Sequence, residues 1–464
     1  MAALAEILAA RGAVLSGSDV AETFQTQEIL DRLGLQPTAG FAGADLPPDT
    51  EWVIHSAAYD RHENPQLRAA AERGIPLSSY PEALGELSRM ATSVAVSGVH
   101  GKTTTTALCG LLVAALELPA TVLTATGVPN FGGGSTLLCG SRYFVAETCE
   151  YRNHFAHFRA RHLVITTVEL EHVDAFPTHA AVAAAFTGLA HSLPPGGSLI
   201  YCADDRGAEE VALAVAERRP DLLLRPYGER ADGPLRVSEV SLTAGATRFR
   251  LDCLRDPVTL HVAGRHNVGN AAAAVAVADA LLAAEGRRMD APAQAAVVRA
   301  LAVYHGGKRR TEVIGERGGV LVMDDYAHHP TELTATLAGL RAFYPERRIV
   351  VDFMSHTFSR TLALLDDFGT SFAAADEVVL HPVYASAREA PAGDGERIGR
   401  ALFREVARHH PRVRYCDTLA AAGAYLAATL GAGDLLVTMG AGDNWRVGHD
   451  VLTRLPRTGG GSVA

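Results

Sequence analysis

The run Gly98-Val99-His100-Gly101-Lys102-Thr103-Thr104 constrains the fold of this chain more than any other stretch. It follows a short β-branched apolar segment, Ser93-Val94-Ala95-Val96-Ser97, and leads into Thr103 to Leu116, which reads as a buried helix. A glycine loop between a strand and a helix turns backbone N–H groups and a helix N-terminus toward an anion. In such a loop Lys102 would bridge the outer phosphates of a nucleotide, and the Thr103 hydroxyl would bind Mg²⁺. Only two residues separate Gly98 from Gly101, so the loop is shorter than the general G-x-x-x-x-G-K-[ST] form.

Length and composition set the frame around this loop. At roughly 100–200 residues per domain, 464 residues suggest two to four domains. A hydrophobic share of 48% against 20% charged leaves ample material for cores. The net charge of −10 argues against a general nucleic-acid surface. Cys109, Cys139, Cys149, Cys202, Cys253 and Cys416 are scattered and form no CxxC pair, which argues against a disulfide framework or a zinc site. Met1 to Leu8 carries Glu6 and no basic start, unlike a signal peptide. No uninterrupted apolar run approaches the roughly 20 residues of a membrane span. These features predict a cytoplasmic protein without membrane insertion, as a monomer or homodimer.

The order of elements predicts three α/β segments. In residues 1–89, Ala2 to Ala10 and Asn64 to Arg73 read as helices, and Ala13 to Asp19 and Trp52 to Ala57 as strands. In residues 90–302, Tyr143 to Ala146 and His162 to Thr166 read as further strands and Asn267 to Ala284 as an Ala-rich helix. In residues 303–464, strands are expected at Gly319 to Asp325, Arg348 to Phe353, Asp376 to Leu380 and Asp434 to Gly440. Strand–helix alternation of this kind predicts mainly parallel, doubly wound sheets.

Further motifs extend along nearly the whole chain. They are Glu147-Thr148-Cys149-Glu150 with Phe155, Thr166-Thr167-Val168-Glu169-Leu170-Glu171-His172-Val173-Asp174, and Gly264-Arg265-His266-Asn267-Val268-Gly269-Asn270. Asp324-Asp325-Tyr326-Ala327-His328-His329-Pro330-Thr331-Glu332, His356-Thr357-Phe358-Ser359-Arg360-Thr361 and Thr438-Met439-Gly440-Ala441-Gly442-Asp443 follow. With the shortened glycine loop, this set resembles the Mur ligase family, and most of all its branch that joins L-alanine to UDP-N-acetylmuramate.

The resemblance implies three domains: a Rossmann-like UDP-substrate domain (1–89), a central P-loop ATPase domain (90–302) and a C-terminal Rossmann-like domain (303–464) that closes on the amino acid and nucleotide. It implies ATP and Mg²⁺ as cofactors and UDP-N-acetylmuramate and L-alanine as partners. ATP would phosphorylate the muramyl carboxylate, and the alanine amine would displace phosphate from the acyl phosphate. Positioning and charge neutralisation dominate such a reaction. The nucleotide would be held by Gly98, Val99, His100, Gly101, Lys102, Thr103 and Thr104, by adenine-reading Asn267 and Asn270, and by Asp325 at the ribose. Thr103 and Glu147 would hold one metal and His172 a second. Lys102, Glu147, His172, Arg309 or Arg310, His328 and Arg360 would carry the chemistry, the C-terminal ones arriving by domain closure. Plainer roles stand beside these: Asn267 as a helix cap, Lys308-Arg309-Arg310 as a solvated basic turn, and His329-Pro330 as a helix start.

Departures from the family pattern carry their own expectations. Cys149 replaces an acid and Arg152 adds a cation near Glu147, which predicts altered substrate contacts with the metal ligand kept. The family's first strand and G-x-G-G-x-G-M loop precede the position of Met1, which predicts a true start upstream of the sequence shown. Two other readings share most of the motifs: a murein-recycling ligase adding a tripeptide to the same UDP-sugar, and a catalytically weak ATP-binding homologue.

Overall fold

The computed structural model describes residues 1–22, 26–171, 175–385 and 394–456. The chain divides into two compact units: Met1–Val168, Ala183–Tyr227 and Ala273–Val297 form the first, and Glu169–Val182, Gly228–Ala272 and Val298–Ala464 the second.

The first unit opens with helix Ala2–Ala10, then short parallel pairs: β1 (Ser18–Asp19) with β2 (Thr38–Ala39), and β3 (Val53–His55) with β4 (Leu77–Ser79). The strand expected from Ala13 shrinks to Ser18–Asp19, because only these two residues find a partner strand and Val14 stands fully exposed. Helix Pro65–Glu72 starts where expected, with the Asn64 side chain accepting from the Gln66 and Leu67 N–H groups.

The main sheet of this unit is built from β5 (Thr92–Ser97), β6 (Ala120–Leu123), β7 (Thr136–Leu138), β8 (Tyr143–Glu147), β9 (His162–Ile165), β10 (Ser198–Cys202) and β11 (Leu223–Tyr227). Their order is β11-β10-β9-β5-β8-β6-β7, and only the edge strand β7 runs antiparallel. Val94, Ala95 and Val96 of β5 are wholly buried, as a central parallel strand covered on both faces demands. Helix Lys102–Ala115 follows β5 directly, so the glycine loop sits at the carboxyl edge of the sheet.

In the second unit, β12 (Val237–Thr243), β13 (Ala246–Leu251) and β14 (Val258–Leu260) form a small antiparallel sheet. A six-stranded sheet follows: β15 (Glu312–Arg317), β16 (Val320–Asp325), β17 (Arg348–Phe353), β18 (Glu377–Leu380), β19 (Val413–Tyr415) and β20 (Asp434–Met439), in the order β15-β16-β20-β17-β18-β19. All its pairings are parallel except β15 with β16. Leu333, Leu337, Leu340, Phe368 and Phe372 pack one face, while Leu426, Val447 and Val451 pack the other. Alternation along β17, with Val351 and Phe353 on one side and Val350 on the other, divides the strand between the two cores.

Helix Pro330–Phe343 carries His329 at its N-cap, Pro330 in its first turn and Glu332 closing a capping box, so His329-Pro330 does start a helix. Helix His266–Ala284 has the length and hydropathy of a membrane span, yet 78% of its most apolar window is buried inside the protein, as in a core helix. None of the six cysteines forms a disulfide.

Candidate active site

Three strand ends converge on the glycine loop. Glu147 closes β8 and lies beside β5 through the register pair Val96 with Glu147, while β9 delivers Thr166 and Thr167 on the other side. Gly98 has φ +130°, and a Cβ there would collide with the Thr166 hydroxyl. Gly101, at φ +78°, turns the chain into the helix. The loop is then pinned. Val99 N–H donates to the Thr167 carbonyl at 2.9 Å and His100 N–H to the Thr167 hydroxyl at 2.9 Å. The Thr166 hydroxyl donates to the His100 carbonyl at 2.5 Å.

This fixed loop leaves a phosphate-shaped set of donors. The first helical bond runs from Thr105 N–H to the Gly101 carbonyl, so the Lys102, Thr103 and Thr104 N–H groups precede it, and no side chain caps them. Lys102 Nζ donates to the Gly98 carbonyl at 2.5 Å and the Val99 carbonyl at 3.1 Å, and pairs with Glu150 Oε2 at 3.2 Å. Burial alone would lower the Lys102 pKa, but the buried Glu150 carboxylate outweighs it and holds the ammonium above its usual value. Desolvation, then Glu150, pushes the Cys149 thiol up to about 11, so the residue that replaces an acid is neutral.

Thr103 Oγ1 donates to Glu147 Oε2 at 2.8 Å, and the other Glu147 oxygen accepts from Ala125 N–H. Adjacent ligands in a Mg²⁺ octahedron lie about 2.9 Å apart, given Mg–O distances near 2.0–2.1 Å. The hydroxyl and carboxylate oxygens of Thr103 and Glu147 therefore fit the hard, all-oxygen chemistry of Mg²⁺. His172, expected as the second-metal ligand, lies outside the described residues.

The second unit gathers its charged residues at the carboxyl edge of the six-stranded sheet. Asp325 ends β16 and is buried; its carboxylate accepts from Thr311 N–H at 2.7 Å and Ala327 N–H at 2.8 Å. Burial pushes its pKa up to about 6 against the opposing pull of Arg310 and those two N–H groups. Arg309 and Arg310, adjacent in sequence, part company. Arg309 donates to Asp324 Oδ2 at 2.7 Å and to the Gly440 carbonyl at 2.6 Å, clasping the ends of β16 and β20. Arg310 lies over the Tyr326 ring at 5.4 Å and makes no ion pair among the described residues. Positive φ at Arg309 (+55°) and Thr311 (+48°) marks this turn, and the Arg309 guanidinium also lies over the Tyr326 ring, at 5.0 Å.

His328 Nδ1 donates to the Tyr326 carbonyl at 2.8 Å, and burial holds its pKa down to about 4, so the ring is neutral near pH 7. Arg360, only 7% exposed, donates through Nε to Glu171 Oε1 at 2.8 Å and through Nη1 to the His356 carbonyl at 3.1 Å. His356 stacks on Tyr384 with ring centres 5.8 Å apart. Asn267 is the second residue of helix His266–Ala284 and not its cap: its amide donates back to the Ala263 carbonyl at 2.7 Å, and its oxygen accepts from Asn270 at 3.0 Å. The helix begins one residue earlier than expected, which moves Asn267 inside the first turn.

The sequence reading did not assign three partners seen here: Glu150 against Lys102, Glu171 against Arg360, and Asp324 against Arg309. All three stand inside motifs quoted for other residues, and their acidity was the available signal. A glycine loop with Lys102 and Thr103 at the carboxyl edge of a parallel sheet defines a nucleoside-phosphate-binding α/β protein.

Comparison with known proteins narrows that class. The Mur ligase family catalytic domain matches residues 1–92, the Mur ligase middle domain 96–278, and the Mur ligase glutamate ligase domain 309–442. The chain belongs to the Mur ligase family. It is 46% identical over 449 residues to the UDP-N-acetylmuramate–L-alanine ligase of Treponema pallidum, covering 97% of this chain and 93% of that protein. It is 36% identical over 457 residues to the enzyme of the same name from Desulfitobacterium hafniense, covering 97% of each. In fold it is similar to the UDP-N-acetylmuramate–alanine ligase of Thermotoga maritima, with TM-score 0.77 and 22% identity over 98% of this chain and 96% of that one. A murein peptide ligase from Psychrobacter arcticus gives TM-score 0.67 at 22% identity over the same shares.

Proposed function

We propose that this chain is an ATP-dependent, ADP-forming ligase that joins L-alanine to UDP-N-acetylmuramate, a step of peptidoglycan synthesis in the cytoplasm. The near full-length identity to L-alanine ligases carries this reading. The pinned phosphate loop supports it with the means to hold a nucleotide and a metal.

In the proposed mechanism, the Lys102, Thr103 and Thr104 N–H groups and the Lys102 ammonium hold the outer phosphates. Thr103 and Glu147 would hold Mg²⁺, which when bound neutralises phosphate charge; His172 is proposed for a second ion. The muramyl carboxylate oxygen attacks the γ-phosphorus, ADP leaves, and the alanine amine then displaces phosphate from the acyl carbon, losing a proton. Arg310, whose guanidinium lies over the Tyr326 ring and makes no ion pair among the described residues, is proposed to neutralise the transferring phosphoryl group. Asp325 would accept from the ribose hydroxyls, Asn267 and Asn270 would read adenine, and neutral His328 and Arg360 would face the acceptor. Arg309, engaged with Asp324 and Gly440, is proposed to position rather than to touch phosphate. Residues 1–89 are proposed for the UDP-substrate, 90–302 for ATP and 303–464 for the amino acid.

Phosphate release with UDP-N-acetylmuramate and ATP tests this, with L-alanine, glycine, L-serine and the murein tripeptide offered separately. Turnover greatest with L-alanine is expected. Preference for the tripeptide would overturn the substrate assignment, and ATP binding without any ligation would overturn the activity.

A further inference from the structure

At the carboxyl edge of the six-stranded sheet, three wholly buried polar residues lie outside every role given above. Asp352 is the penultimate residue of β17, His381 directly follows β18, and Asn444 directly precedes helix Trp445–Arg454 after β20. Their relative exposures are 0%, 1% and 0%. His381 Nε2 meets Asp352 Oδ1 at 2.8 Å. The Asn444 amide donates to the Asp352 carbonyl at 2.9 Å and the Met439 carbonyl at 2.9 Å, and approaches Asp352 Oδ2 at 3.3 Å. Three adjacent strand ends, β18, β17 and β20, are thus cross-linked through one carboxylate.

Such a cluster is a poor way to gain stability. Replacing a buried ion pair by well-packed apolar residues is often neutral or stabilising. His381 Nδ1 and Asn444 Oδ1 find no hydrogen-bond partner among the described residues, a further cost. What the cluster does supply is geometry. Met354 to His356 leave β17 just beyond Asp352, and Gly440 to Asp443 run from Met439 to Asn444. The two segments touch: a Cβ on Gly440 would strike the Met354 carbonyl, and one on Gly442 would strike Met354 Sδ. Tyr384, three residues after His381, donates its N–H to the Ser355 carbonyl at 2.8 Å and stacks on His356.

We propose that Asp352, His381 and Asn444 are positioning residues that fix the Gly440–Asp443 loop and the Met354–His356 segment, and through them the wall that receives the incoming amino acid. The acceptor role of Arg360, which donates to the His356 carbonyl, rests on the proposed function; the fixing of the two segments does not. Burial opposes protonation of His381, but Asp352 outweighs it and raises the His381 pKa.

The test compares His381→Leu, which removes the donor, with His381→Gln, whose amide can still reach Asp352, in the full chain. Amide hydrogen exchange over 439–444 is expected to accelerate about 10-fold or more in the Leu variant, with the Gln variant recovering most of the protection. The KM for alanine is expected to rise about 10-fold in the Leu variant while the KM for ATP stays within about 2-fold. Should the Leu variant not fold, Asp352→Asn, which keeps shape and loses charge, is expected to give the same pattern at smaller size. Equal exchange in the Leu and Gln variants would overturn the proposal, as would faster unfolding with unchanged exchange over 439–444. Wild-type protein that ligates no alanine would instead overturn the function, and the exchange result would still decide the cluster.

Discussion

The glycine loop and the carboxyl edge of the six-stranded sheet solve the same problem by opposite means. Both must hold charge at the ends of parallel strands. The loop does so with backbone: Gly98 and Gly101 set the turn, Thr167 pins it, and the donors belong to the first turn of one helix. The second edge does so with side chains from distant segments: Arg309 is tied to Asp324 and Gly440, and Asn444 to Asp352 and Met439. A site of the first kind depends on each group that touches the ligand. A site of the second kind also depends on buried pairs that touch nothing but each other.

The largest effect is expected where the loop meets its carboxylate. Glu147→Gln keeps the size of the side chain but removes the charge beside Thr103 Oγ1. ATP turnover should fall about 10³-fold or more, the scale of losing an electrostatic contact to a transferring phosphoryl group. The melting temperature should hardly move, because Glu147 is only partly buried. Near-normal turnover in this variant would sink the loop as the phosphate site.

The two arginines sharpen the contrast. Arg310→Ala should lower kcat by about 10²-fold with little change in stability, since its guanidinium makes no ion pair among the described residues. Arg309→Ala leaves Asp324 buried without its partner, and breaking such a pair costs about 3–5 kcal/mol. That variant should unfold at markedly lower temperature. If the two swap phenotypes, Arg309 is the phosphate ligand and the second edge is built like the first.

How far these sites were legible follows the same division. The glycine loop, its strand and its helix were visible because every determinant is contiguous. β16 was visible as an apolar run meeting Asp324 and Asp325, and β17 and β20 as apolar runs. What stayed hidden depends on direction and distance. Arg309 and Arg310 looked interchangeable because what sets them apart, the reach of Arg309 to Asp324 and Gly440, depends on strand ends that lie far apart in sequence. The cap role held beside the adenine role for Asn267 fails because a one-residue shift of the helix start is beyond what composition fixes. Asp352 and His381 drew no attention because a carboxylate inside an apolar strand gains meaning only when its partner, 29 residues on, is brought beside it.

A pH profile tests the second edge by a smaller effect. The Asp325 pKa is raised from 3.8 to about 6 by burial, so the folded protein binds more protons than the unfolded chain between those values. Stability contributed by this group is therefore greatest at low pH and falls as pH rises through about 6. His328, lowered from 6.5 to about 4, acts in the opposite sense, with stability rising as pH goes from 4 to 6.5. The two nearly offset in stability, but only Asp325 becomes charged on crossing pH 6. If it accepts from ribose hydroxyls, kcat/KM for ATP should show an acid limb near pH 6 that disappears in Asp325→Asn. A limb that survives there belongs to another group.

The smallest effect should come from the pin beneath the loop. Thr167→Val keeps the shape and the carbonyl that holds Val99 N–H, and removes only the hydroxyl that accepts from His100 N–H at 2.9 Å. One neutral hydrogen bond contributes about 1 kcal/mol net, equivalent to roughly 5-fold in affinity. The loss falls on loop geometry before phosphate arrives, so it should appear as a KM for ATP raised about 5-fold with kcat little changed, the signature of lost uniform binding. Thr167→Ser, which restores the oxygen without the methyl, should recover the wild-type KM. An unchanged KM in the Val variant would mean that the Val99 bond and the Thr166 hydroxyl hold the loop by themselves, and that the pin is wider than one side chain. A fall in kcat instead would place His100 in the transition state, making this loop as dependent on indirect support as the carboxyl edge of the six-stranded sheet.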